Sequence, residues 1–87
     1  MNITAVESAT LSVVGYDEAQ GALQLGFRSG AVYRYFGAAV GVHAELLVAA
    51  SKGSYFNRVI RKRFPYRLLV KPETGKRNGA LRSEGAR

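Results

Sequence analysis

The sequence predicts an α+β fold, a small antiparallel β-meander of about three strands packed against two α-helices. Three observations predict it. Apolar residues alternate with a period of two through the first half of the chain. They recur at spacings of three and four through the second half. The short intervals between these runs are rich in glycine, serine and charged residues, the composition of turns.

Leu11, Val13 and Gly15 alternate with Ser12 and Val14, giving a short first strand over residues 10–14. Gly15 to Gly21 is polar, contains Asp17 and Glu18, and is read as a turn. Leu23, Leu25 and Phe27 form a half-buried second strand, and Ala31 to Phe36 a third. The loop between these two decides which side chains meet. A two-residue turn at Ser29-Gly30 would pair Phe27 with Val32 and send Tyr33 and Tyr35 away from Leu25. A three-residue loop, Arg28-Ser29-Gly30, puts Gly30 at the positive-φ position of a G1 bulge. Phe27 then opposes Ala31, Leu25 opposes Tyr33, and Leu23 opposes Tyr35. This second register is preferred. It places both tyrosine rings on the apolar face and Val32, Arg34 and Phe36 on the other, and a one-residue slip would reverse the assignment.

From about Ala38 to Ser51, Val42, Leu46 and Ala49 or Ala50 mark a helix. Gly53 is read as its stop and Ser54 as the cap of a second helix. At 100° per residue, Tyr55, Phe56, Val59 and Ile60 fall within an arc of roughly 140°. Arg58, Arg61 and Lys62 fall on the opposite side. Phe64 precedes Pro65 and is biased out of the helical region, which ends this helix near Lys62 or Arg63. Tyr66 to Val70 then adds a short edge strand or covers the core. Residues 1–70 thus form a single domain. Residues 71–87 are basic, poor in apolar residues, and expected to be a disordered tail.

The 87 residues carry thirteen Lys and Arg against six Asp and Glu, a net charge of +7. The excess is local. Residues 1–50 are net acidic, whereas residues 51–70 hold six bases and no acid. Clustered positive charge attracts phosphates, so a polyanion is the first partner to consider. Without cysteine there is no disulfide framework, thiol nucleophile or zinc-finger ligand set. One histidine and six scattered carboxylates do not make a metal cage, and no metal or cofactor is expected. No apolar run approaches the ~20 residues that span a bilayer. Met1 to Thr10 lacks the pattern of a secretory signal. A monomeric, cytoplasmic protein without a membrane partner is the expectation.

The ordered pattern Gly15-Tyr16-Asp17, Leu23-x-Leu25-x-Phe27, Tyr33-x-Tyr35, Ala50-Ser51-Lys52-Gly53-Ser54-Tyr55-Phe56-Asn57 and Ile60-Arg61 resembles the KTSC domain. The resemblance covers about residues 8–66, and the Ser-x-Gly-x-Tyr-Phe-Asn block is its most specific part. One departure lies at Phe36-Gly37-Ala38-Ala39, where a Val-Pro entry into the first helix is expected, and it bears on where that helix begins. The resemblance implies a domain found at the C-terminus of some lysyl-tRNA synthetases and as free-standing bacterial proteins. It further implies a suggested RNA-binding role, with no established activity or catalytic residue.

The basic helix face is the foremost candidate site: Arg58, Arg61 and Lys62, with Arg63 and Lys52 nearby and Arg67 after the proline. Arginine's planar fork suits phosphate, and no acid lies between Lys52 and Lys71 to pair with these bases. The tail bases Lys76, Arg77 and Arg82 would add reach. The turn at Gly53 and Ser54 could hold one phosphate, although a plain helix corner accounts for the same residues. Tyr33 and Tyr35 invite comparison with aromatic platforms that stack bases, but the preferred register gives them to the core first. Arg34 and Phe36 on the opposite sheet face, and Tyr55 and Asn57 on the helix, are further candidates for base contacts. A catalytic reading finds little support, because His43 and Glu45 stand two apart on a helix and face different directions. The expected function is therefore a non-catalytic module binding RNA, tRNA included, through phosphate contacts. The alternative is a protein-interaction module using the sheet face or the basic helix with an acidic partner.

Overall fold

The computed structural model describes residues 1–73, and the tail positions Lys76, Arg77 and Arg82 lie outside them. Five strands form one antiparallel sheet in chain order: β1 (Asn2–Ala5), β2 (Leu11–Asp17), β3 (Ala22–Phe27), β4 (Val32–Phe36) and β5 (Tyr66–Val70). Two helical segments, α1 (Val40–Val48) and α2 (Lys52–Tyr55), intervene between β4 and β5. The class is α+β as expected, but the sheet has five strands and not about three. Among the described residues, no helix is long and apolar enough to cross a membrane.

Each difference in strand number has a local cause. All four side chains of β1 are exposed, so no alternation of burial marks it, and backbone pairing with β2 defines it. β2 runs on to Asp17 because Gly15 and Tyr16 continue its ladder with β3. The turn is confined to the residues after Asp17, whose carboxylate accepts from the N–H groups of Ala19 and Gln20. A bulge between Leu11 and Val13 rephases the strand, so that Leu11 and Val14 are both fully buried.

The β3–β4 hairpin adopts the preferred register. Leu25 pairs with Tyr33 and Leu23 with Tyr35, Gly30 has φ +94°, and the Phe27 N–H donates to the Ala31 carbonyl. β5 is the edge strand, paired with β4 so that Tyr66 opposes Tyr35 and Leu68 opposes Tyr33.

The helical half departs from expectation at its ends. The first helix begins only at Val40, after an extended Ala39 without a side-chain cap, and ends at Val48. Gly53 is not the helix stop, since its φ is not positive, and Ser54 is not the cap. Ser51 caps α2, its hydroxyl accepting from the Ser54 N–H at 3.3 Å. Gly53 lies inside α2, where a Cβ would sit 2.5 Å from Thr10 Oγ1. α2 then passes directly into a π-helical turn over Phe56–Ile60, closed by the Arg61 N–H donating to the Phe56 carbonyl at 2.9 Å.

The core lies between one sheet face and the helices. Leu11, Val14, Leu23, Leu25, Leu46 and Ile60 are its fully buried members, each contributing about 1.5–3 kcal/mol by leaving water. Tyr16 and His43 stack at 5.2 Å, and the Tyr16 hydroxyl donates to the Ala38 carbonyl at 2.7 Å, which ties β2 to the entry of α1.

Candidate nucleic-acid interface

Aromatic residues at alternate positions of adjacent strands must lie side by side on one sheet face. Phe27, Tyr33, Tyr35 and Tyr66 satisfy that geometry, and Phe56 descends on them from the π turn. The five rings form a continuous cluster. Phe27 meets Phe56 at 5.2 Å and Tyr33 at 5.7 Å, Tyr35 meets Phe56 at 5.8 Å, and Tyr66 meets Tyr33 at 5.5 Å and Tyr35 at 5.7 Å. The cluster is layered, with Tyr35 only 3% exposed and Tyr66 59% exposed. These rings, together with Arg61 and Lys62, line an open cleft of about 360 Å³.

The π turn explains why Arg61 belongs to this cleft. In an α-helix, residues five apart are separated by about 140° of rotation, and Arg61 would face away from Phe56. A turn whose N–H reaches back five residues brings such a pair nearly into line. The basic arc read at 100° per residue is thereby redirected, and Arg61 lines the cleft together with the rings.

The tyrosine hydroxyls feel this environment. Burial, with Tyr33 and Tyr66 alongside, pushes the Tyr35 hydroxyl up to about 12, while Arg61 acts in the opposite direction. Burial and the neighbouring Glu45 carboxylate likewise raise Tyr55, whose hydroxyl donates to Glu45 at 2.7 Å. That bond is part of what places Tyr55 in the core, with Arg58 6.0 Å above its ring.

The remaining candidates divide. Arg58, Arg61, Lys62, Arg63 and Arg67 are exposed, as is Asn57. Lys52 is half-buried, and its ammonium donates to the Ala49 carbonyl at 3.1 Å, at the end of α1. Gly53 and Ser54 lie within α2, past the 49–51 corner between the helices, with the Ser54 N–H already given to Ser51. Arg34 is on the far sheet face with Phe36 and is committed to Asp17 at 2.8 Å, and also to Gln24 and Gln20. Its guanidinium holds the Asp17 carboxyl below the usual range. Of the proposed base contacts, only Tyr33 and Tyr35 line the cleft.

Phe27, Phe56 and Tyr66 are not candidates from the sequence, which gives Phe56 only to the apolar arc of the second helix. The hairpin register already placed Phe27 one pair along from Tyr33, and that was the available signal. Tyr66 required knowing that β5 pairs with β4. His43 is buried against Tyr16 while Glu45 is exposed and bound to Tyr55, so the two do not converge. Among the described residues there is no group of three or more His, Cys, Asp or Glu arranged to hold a metal ion.

Comparison with known proteins places this architecture among relatives. The model of a family described as the KTSC domain matches residues 7–64. A protein from Tsukamurella paurometabola is 39% identical over 59 residues, spanning 68% of this chain and 88% of that protein. An uncharacterized protein from Stutzerimonas stutzeri is 41% identical over 61 residues, spanning 70% and 86% respectively. A lysine–tRNA ligase from Nostoc sp. is 36% identical over 63 residues, which is 72% of this chain and 11% of the ligase. The crystal structure of a KTSC domain protein from Yersinia pestis superposes with a TM-score of 0.76 at 30% identity, covering 79% of this chain and 97% of that one.

Proposed function

The chain belongs to the KTSC domain family, and we propose that it is a non-catalytic RNA-binding module that engages phosphates through the basic surface following α2. One observation carries the reading. Arg58, Arg61, Lys62, Arg63 and Arg67 are all exposed, while the one ion pair among the described residues is Arg34–Asp17 on the other side of the sheet. A solvated helix face normally intersperses both signs of charge, whereas the one acid beside this surface, Glu45, accepts from the Tyr55 hydroxyl and forms no ion pair with its five bases. Unneutralised arginines gathered on one segment are the electrostatic footprint of a phosphate contact surface. The similarity to a segment of lysine–tRNA ligases, enzymes named for joining lysine to tRNA, favours RNA over DNA as the polyanion.

Counterion release makes this testable. Engagement of three to five phosphates gives a log–log dependence of affinity on salt with a slope of roughly −2 to −4.5. Titrating tRNA and single-stranded RNA across a salt series should return a slope in that range. Arg58→Glu combined with Arg61→Glu should flatten it while the circular-dichroism spectrum is retained. A double variant that binds like the wild type would remove this surface from the interface.

A further inference from the structure

The geometry points to one unpaired nucleotide as the occupant of the cleft, with its base against the half-buried ring of Tyr33 and the exposed ring of Tyr66 and its phosphate beside Arg61 and Lys62. This deepens the phosphate-binding reading above and rests on it.

Three observations argue for a base. The walls are rings: Phe27, Tyr33, Tyr35, Phe56 and Tyr66 leave little aliphatic surface, and planar aromatic walls select a planar guest. The rim carries two cations and no acid, so the guest is also anionic. A phosphate alone would need the cations and not the rings, whereas an apolar peptide would need the rings and not the cations. The third observation concerns hydroxyls. Among the described residues, those of Tyr16 and Tyr55 donate within the chain, whereas those of Tyr33, Tyr35 and Tyr66 make no side-chain hydrogen bond there. Aromatic faces edged with unengaged donors and acceptors suit the edge of a nucleobase.

The volume agrees. About 360 Å³ is at the lower end of the roughly 300–1,000 Å³ of small-ligand sites, which suits one nucleotide and not a run of them. A base inside a duplex has both faces covered by its neighbours and cannot enter. The cleft therefore confers a preference for single strands, loops and ends that the basic surface alone would lack.

The test uses the full chain and a short single-stranded RNA bearing 2-aminopurine, with the same strand annealed to its complement as the second probe. Binding should be tighter to the single strand and should change the 2-aminopurine fluorescence. Tyr66→Leu keeps apolar bulk at an exposed edge position but removes the ring. It should weaken single-strand binding by on the order of tenfold and leave duplex affinity and the salt slope unchanged. Tyr66→Phe keeps the ring and loses one hydroxyl, so it should recover most of the single-strand affinity, which separates loss of stacking from loss of fold. Equal single-strand affinity of Tyr66→Leu and wild type, with salt-dependent binding retained, would overturn the nucleotide cleft and leave the phosphate surface standing. Absence of salt-dependent binding to both probes would overturn both.

Discussion

Gly53 is required by its neighbour and not by its own backbone. A Cβ there would meet Thr10 Oγ1 at 2.5 Å, and Thr10 is β-branched with little freedom to withdraw. Gly53→Ala should therefore cost about 1–3 kcal/mol in overpacking, against a helix-propensity gain of about 1 kcal/mol. The two terms separate in a double-mutant cycle. In a Thr10→Ala background the oxygen is gone and the nearest remaining atom is the Cβ at 3.2 Å, so most of the loss should disappear. Urea midpoints of the four chains measure this, and an equal loss in both backgrounds would refute the close approach. A glycine after an apolar helical run reads equally as a left-handed stop or as a close contact. Only the position of Thr10, 43 residues earlier in the chain, distinguishes the two.

The sheet and the helical half differ in how far the sequence determines them. The β3–β4 register was legible because a turn glycine and a period-two pattern are both local, and they agree. β1 was not, because an edge strand with four exposed side chains is defined by a partner and not by composition. The π turn was hidden for a related reason: periodicity arguments assume 100° per residue, and a single turn that breaks the assumption leaves the residue types unchanged. Half of the candidate site followed the same division, with the arginines and the tyrosine pair visible and their convergence not. That convergence has a measurable consequence at the level of the β4–β5 seam. Below pH 10 both folded and unfolded chains hold the Tyr35 proton. Between pH 10 and about 12 the unfolded chain releases it first, so stability falls across that window. Tyr55, also raised, adds to the same limb. Tyr35→Phe should flatten the decline in chemical-denaturation midpoints, and an unchanged decline would mean that the seam does not shelter the hydroxyl.

At the scale of the whole molecule, the uneven charge acts on stability as well as on partners. The bases after α2 crowd one region of the fold, and unfolding lets them separate. Two unit charges near 10 Å apart in water repel by about 0.4 kcal/mol, and the Debye length shrinks from about 30 Å at 0.01 M salt to about 8 Å at 0.15 M. Adding sodium chloride should therefore stabilise the fold. A counter-effect exists, because salt also weakens attraction between Arg34 and Asp17. That pair is short, and its side chains are only 14% and 24% exposed, so it is screened less than the open cationic surface. The repulsive term should prevail, and the melting temperature should rise by several degrees between 10 and 150 mM salt, roughly 1 kcal/mol for a domain of this size. In the Arg58→Glu, Arg61→Glu variant the rise should shrink or vanish, since two repulsive centres become attractive ones. A wild-type melting temperature that falls with salt would mean that the surface is internally compensated, and the electrostatic case for a phosphate ligand would weaken with it.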